Sequence, residues 1–147
     1  MPVPIPIDRV VIEIVDHSEQ RYNTVGDWTL QGGLLTIRAS RMPDDLHWPI
    51  VDHEMAEARW CARNGVSQGQ VDEFDAKFEL TAHGNLEPGD DHRAPYYEGH
   101  QIGIIVEKMA VLEMGWSWAE YLDVIDEPYL KRRATERRRK KKETTKP

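Results

Sequence analysis

The chain of 147 residues has one cysteine, Cys61, only two phenylalanines, and no apolar run approaching the roughly 20 residues of a membrane span. A lone thiol excludes an intramolecular disulfide and a thiolate-rich metal site, so any metal here must be held by His, Asp or Glu. The opening MPVPIPIDRV lacks the basic start and long apolar segment of a signal peptide, so a cytoplasmic protein with no membrane partner is expected. Gly32-Gly33 and Gly65 lack the surroundings of a phosphate-cradling loop, and no internal repeat is visible. The buried, uncharged setting predicted for Cys61 after Trp60 makes nucleophilic catalysis by its thiol a poor fit.

What is present is a charge division. The 19 basic and 26 acidic residues split into ten and two over residues 128–147, a balance of +8, and nine and 24 over residues 1–127, a balance of −15. An acidic body repels nucleic acid, whereas RRRKKK at 137–142 suits phosphate backbones or simple solvation. Residues 1–127 are therefore read as one metal-binding domain and 128–147 as a basic tail, disordered or helical.

Hydrophobic patterning supplies the elements. Arg9–Val15 reads as a half-buried strand; Leu35, Ile37 and Ala39 alternate with polar neighbours after the Gly32-Gly33 turn, with Tyr22–Leu30 as hairpin partner. The expectation is a small antiparallel sheet. A main helix is predicted over about Ile50–Arg63, stopped by Asn64-Gly65. Ser67 caps a second over Gln68–Leu80, buried through Val71, Phe74, Phe78 and Leu80. Ala82–Tyr97 is too polar for core and reads as a loop. A third helix spans about Glu98–Met114 with Ile102, Ile105, Met109 and Leu112 on one face, followed by a short amphipathic segment, Ser117–Ile125. Trp28, Trp48, Trp60, Trp116 and Trp118 read as core and rim. The fold class is α+β, with the sheet packed on three to four helices.

The sharpest chemical signal is HEMAE at 53–57. Helical positions i and i+4 share a face, so His53 and Glu57 reach one ion while Glu54, displaced around the axis, contacts a water on that ion. Such an ion lowers the pKa of its water, and Glu54 accepts the proton. The competing reading is an acidic surface helix in which His53 makes an ordinary hydrogen bond. For a third ligand, His100 is the first choice, with Gly103 and Glu107 on the same helical face; Asp75 is second, and His92 or Asp91 third. His17, His47 and His83 fit no ligand spacing, while Tyr96 or Tyr97 could donate to a developing oxyanion.

The plan of strand, His-Glu-x-x-(His/Glu) helix and later-helix ligand, over about residues 34–107, resembles the zincin-like metallopeptidases. That resemblance implies a metal-dependent hydrolase, including peptidases, acting on a peptide or small molecule. It makes His53 the first ligand, Glu54 the general base and Glu57 the occupant of the second ligand position, where the family carries His. A carboxylate there admits manganese, iron or magnesium beside zinc. Val71–Asp75 and Glu87–His100 also resemble segments of small phage-encoded proteins of unassigned function, which implies a host-cytoplasmic setting and no activity.

A rival reading uses the same carboxylates. Glu54-x-x-Glu57 and Asp72-x-x-Asp75 on consecutive helices resemble the all-α nucleotide pyrophosphohydrolases of the MazG type, which hold magnesium against a triphosphate. That reading tolerates loss of His53; the zincin-like one does not. A third class is a non-catalytic accessory or structural protein whose metal holds helices together and whose tail contacts nucleic acid.

Overall fold

The computed structural model describes residues 2–81 and 87–145, without the side chains of residues 79–81. His83, the start of the polar loop at 82–86 and the side chain of Leu80 thus lie outside the described residues. The chain is α+β: β1 (Arg9–Val15), β2 (Gly26–Gln31), β3 (Leu34–Ser40), α1 (His47–Arg63), α2 (Gln68–Thr81), α3 (Tyr97–Glu113) and α4 (Trp118–Thr145). No described helix is long and apolar enough to cross a membrane.

β2 and β3 form the expected hairpin. Gly32 and Gly33 both take positive φ, 55° and 77°, as a two-residue turn with the strands' own twist requires. That register pairs Trp28 with Ile37 and Leu30 with Leu35, stacking four apolar side chains on one face. The sheet as a whole is mixed, which corrects the antiparallel expectation: its order is β1-β3-β2, and β1 pairs with β3 in parallel. The connection at residues 16–25 is long enough to step over the end of β3, so β1 and β2 flank it. Because β1 runs opposite to β2 and β2 opposite to β3, β1 must run with β3. As an edge strand it stays largely exposed.

α1 lies between the sheet and α3 and buries Ile50, Val51, Ala58, Cys61 and Ala62. Each large aliphatic side chain so covered contributes about 1.5–3 kcal/mol. The helix starts at His47, earlier than expected, because Pro49 falls in its first turn, where a missing N–H costs nothing. Val66 N–H closes onto the Cys61 carbonyl at 2.9 Å just past Asn64-Gly65. α2 opens on a reciprocal capping box: Gln70 N–H donates to Ser67 Oγ at 3.2 Å, and Ser67 N–H to Gln70 Oε1 at 2.9 Å.

α3 turns Gly99, His100, Gly103, Glu107 and Val111 inward. Its apolar face points to solvent, with Ile102, Ile105, Met109 and Leu112 exposed by 41%, 59%, 66% and 76%.

The expected boundary at residue 127 falls inside α4, which continues through Pro128 to Thr145, so the basic tail is helical. Its beginning is fastened to the body. Tyr129 packs its ring against His17, with centroids 5.9 Å apart, and donates its hydroxyl to Glu87 Oε1 at 2.9 Å. Arg132 Nη1 donates to the carbonyls of His17, Gln20 and Tyr22 at 3.3, 3.1 and 2.9 Å. From Ala134 to Thr145 every residue is exposed.

Candidate metal centre

The inward face of α3 meets α1 at a close approach that Gly103 permits. A Cβ at position 103 would stand 2.8–3.0 Å from Cδ2, Nε2 and Cγ of the His53 ring, closer than carbon atoms tolerate. With that space clear, three side chains converge. His53 Nε2 lies 3.3 Å from Glu57 Oε2 and 3.2 Å from His100 Nδ1, and His100 Nδ1 lies 3.0 Å from Glu57 Oε2. All three residues are buried.

These atoms form a triangle of metal-ligand size. Donors held at about 2.0–2.1 Å from a tetrahedral ion stand about 3.3 Å apart. Each donor residue also has its other polar atom occupied. His53 Nδ1 is 2.7 Å from Glu107 Oε1, whose second oxygen accepts the Tyr121 hydroxyl at 2.5 Å. His100 Nε2 is 3.3 Å from Asp90 Oδ1, and Trp28 Nε1–H donates to Glu57 Oε1 at 2.9 Å. A carboxylate on the far nitrogen of an imidazole fixes the tautomer that leaves the near nitrogen's lone pair free, the usual arrangement behind metal-binding histidines. The donor set, two imidazoles and one carboxylate, therefore fits a divalent ion, and zinc or another borderline transition metal better than magnesium.

The metal-free electrostatics of the same atoms are instructive. Burial pushes the His53 imidazole down, but hydrogen bonds to Glu107 and Glu57 outweigh it and carry it up to about 11. For His100, burial is likewise overcome by Asp90 and Glu57, to about 10. Burial pushes Glu57 up, and its bonds to His100 and His53 bring it down to about 2. His53 Nε2 and His100 Nδ1, 3.2 Å apart, both face Glu57 Oε2, so the three atoms share few protons among them, and which nitrogen donates is set by the tautomers.

Glu54 lies beside this cluster in the wall of a cavity of about 110 Å³, which Trp28, Asp75, Glu87, Tyr96 and Tyr129 also line. Among the described residues no hydrogen bond is made to its carboxylate, and burial, reinforced by the charge of Glu57, holds it well above the usual carboxylate range. A proton acceptor of raised basicity consequently shares one small space with the ligand triangle.

Of the sequence candidates, His53, Glu54, Glu57 and His100 are brought together. Asp75 is not a ligand here: it accepts the Tyr96 hydroxyl at 2.5 Å, and burial holds its carboxyl up at about 7. Asp72 turns away to Arg21, at 3.4 Å. Among the described residues the groups of potential ligands close enough to share an ion are His53-Glu57-His100 and Glu87-Asp90-His100, and neither contains Asp72 or Asp75. The four-carboxylate magnesium cluster is not assembled. His92 is exposed and stacks on Tyr97 with centroids 4.4 Å apart, and Asp91 binds Arg93 at 2.6 Å. His17 bonds Ser40 and Asn23, both at 2.8 Å, while His47 is buried with Nδ1 lacking a partner. Cys61 is buried, and its thiol is pushed up by that burial. Trp28, Asp90 and Tyr121 were not among the candidates; they come from a strand, a turn and α4, and no local spacing links them to HEMAE. Glu107 had a signal, its place two turns from His100 on one helical face.

Comparison of the chain with protein-family models, with curated proteins and with solved structures returns no match.

Proposed function

We propose that the protein is a metal-dependent hydrolase of the zincin type that cleaves an amide or ester bond in a peptide or small molecule. His53, Glu57 and His100 hold the ion, zinc foremost, and Glu54 is the general base. The reading is carried by the ligand triangle with its three occupied outer atoms, next to an acceptor to which no described residue makes a hydrogen bond. Bound there, a divalent ion supplies Lewis acidity toward water and a carbonyl. Glu54 takes the proton that the attacking water loses and returns it to the leaving group. Glu107 and Asp90 hold the two imidazoles in the required tautomers, and Trp28 steadies the carboxylate of Glu57.

Among the described residues the cavity wall carries Asp27, Glu54, Asp75 and Glu87 and no lysine or arginine to pair with phosphate oxygens, a poor environment for a nucleoside triphosphate. A structural ion is the second reading, favoured by the 5–6% exposure of all three ligands.

Protein stripped with chelator and titrated with zinc should bind one equivalent, and His53→Ala and His100→Ala should bind none. Glu54→Gln should keep the zinc while losing hydrolysis of small amide and ester substrates. Equal, negligible metal in wild type and both histidine variants would overturn the proposal. Stoichiometric zinc with no hydrolysis would assign the ion to structure.

A further inference from the structure

We infer that the exposed face of α3 pairs with the same face of a second copy of this chain, as two parallel helices about a twofold axis. The argument does not depend on the metal site, which lies on the opposite side of the helix. Ile102, Ile105, Met109 and Leu112 follow one another at intervals of three, four and three residues, the spacing of a two-stranded helical seam. A helix that only packs against its own domain turns such a stripe inward; here the inward side is taken by His100, Gly103 and Glu107, and the stripe is left at 41–76% exposure. Four aliphatic side chains so exposed amount to several hundred Å², the size at which an apolar patch on a soluble protein ordinarily marks an interface. Two copies joined through it, with their flanking residues, cover about 1,000 Å² or somewhat more, the lower range of specific interfaces, and the pairing should therefore be concentration-dependent.

Charge selects the orientation. With Ile102 and Met109 at the first seam position of successive heptads, and Ile105 and Leu112 at the fourth, Lys108 and Glu113 flank the seam on opposite sides. Both side chains are exposed. In a parallel pair the flanking position of one helix meets the position five residues further along its neighbour, so Lys108 faces the partner's Glu113 and the contact occurs twice by symmetry. In an antiparallel pair the same residue would face the partner's Lys108. Lys108 now rests over the Trp118 ring at 5.3 Å, held at the border of the stripe.

The test is the mass of the full chain in solution by light scattering and sedimentation, from about 1 to about 100 µM. Wild type should pass from monomer toward dimer over that range, and Met109→Lys should remain monomeric with unchanged circular dichroism. Lys108→Glu and Glu113→Lys should each weaken pairing about tenfold, and the two together should restore it. A wild type that stays monomeric, or a dimer indifferent to Met109→Lys, would overturn the inference. Pairing that survives Met109→Lys only at the level of the basic tail would be exposed by its loss in high salt and overturns it equally. Failure of the double variant to recover would overturn the parallel orientation.

Discussion

Along α3, one side carries His100, Gly103 and Glu107 into the interior while the other carries Ile102, Ile105, Met109 and Leu112 to the surface. The ordinary amphipathic rule puts aliphatic groups inside. The inversion shows that burial on the inner side is maintained by mutual satisfaction of polar groups: His53 with Glu107, Glu107 with Tyr121, His100 with Asp90, Glu57 with Trp28. Such a network is stable only when nearly complete, because each unpaired member would be left charged or polar in a medium that solvates it poorly. The outer side has no comparable interdependence within one chain, and single exchanges there should leave the fold of the monomer intact.

The sharpest contrast is therefore expected from His53→Ala, which strands Glu107 and Glu57 together. It should cost about 3–5 kcal/mol in urea unfolding besides abolishing zinc binding. Wild-type stability in that variant would dissolve the distinction between the two faces. Gly103→Ala comes next. In most helices this change adds stability, but here the new methyl meets the His53 ring at 2.8–3.0 Å, so a loss of about 1–3 kcal/mol is expected, with weaker zinc binding measured by competition with a chelator. Glu107→Gln keeps the shape of the inner face and removes only its charge; zinc affinity should fall about 10–100-fold while the circular dichroism spectrum is retained.

Titration sharpens the same comparison, since the groups that respond all lie inward. In metal-free protein His53 and His100 sit near 11 and 10, above their ordinary value, so their contribution is complete below about pH 6.5 and is lost as pH rises toward 10–11. Asp75, raised to about 7, favours its protonated form in the fold and subtracts stability as pH passes from about 4 to 7. Glu57, lowered to about 2, contributes above its ordinary value and loses that contribution as pH falls through 2. The melting temperature without metal should accordingly peak in mildly acidic solution and decline toward alkaline pH. Zinc must displace protons from both imidazoles, so the increment it adds should grow from pH 5 to pH 8, the opposite sign. Parallel pH curves for loaded and stripped protein would remove the imidazoles from the site. The smallest effect belongs outside: Leu112→Ser, at 76% exposure, should leave the stability of the dilute monomer within about 0.5 kcal/mol.

Much of the centre could be read from linear spacing because it is local to two helices. His53 and Glu57 share a face of α1 by the period of the helix alone, and His100 was reachable from Gly103 and Glu107 at one and two turns. Trp28 and Tyr121 were not, because what joins them to Glu57 and Glu107 is the packing of β2 and α4, across sequence separations of 29 and 14. The strands were recognisable from alternation, yet the parallel pairing of β1 depends on where its connection crosses, which composition does not encode. The tail misled for a related reason: Tyr129 and Arg132 sit in a run that looks uniformly solvated, and only their distant partners reveal that they are fastened.

That fastening has a consequence for how the molecule comes into being. The carbonyls of His17, Gln20 and Tyr22 are gathered by Arg132, and one wall of the cavity is the ring of Tyr129. A nascent chain emerging from the ribosome thus carries its sheet, the His53 and Glu57 of α1 and the His100 of α3 before the clasp that closes them exists. Trimming the cationic end at residue 127 would strip charge and also leave the protein in that earlier, unlatched condition.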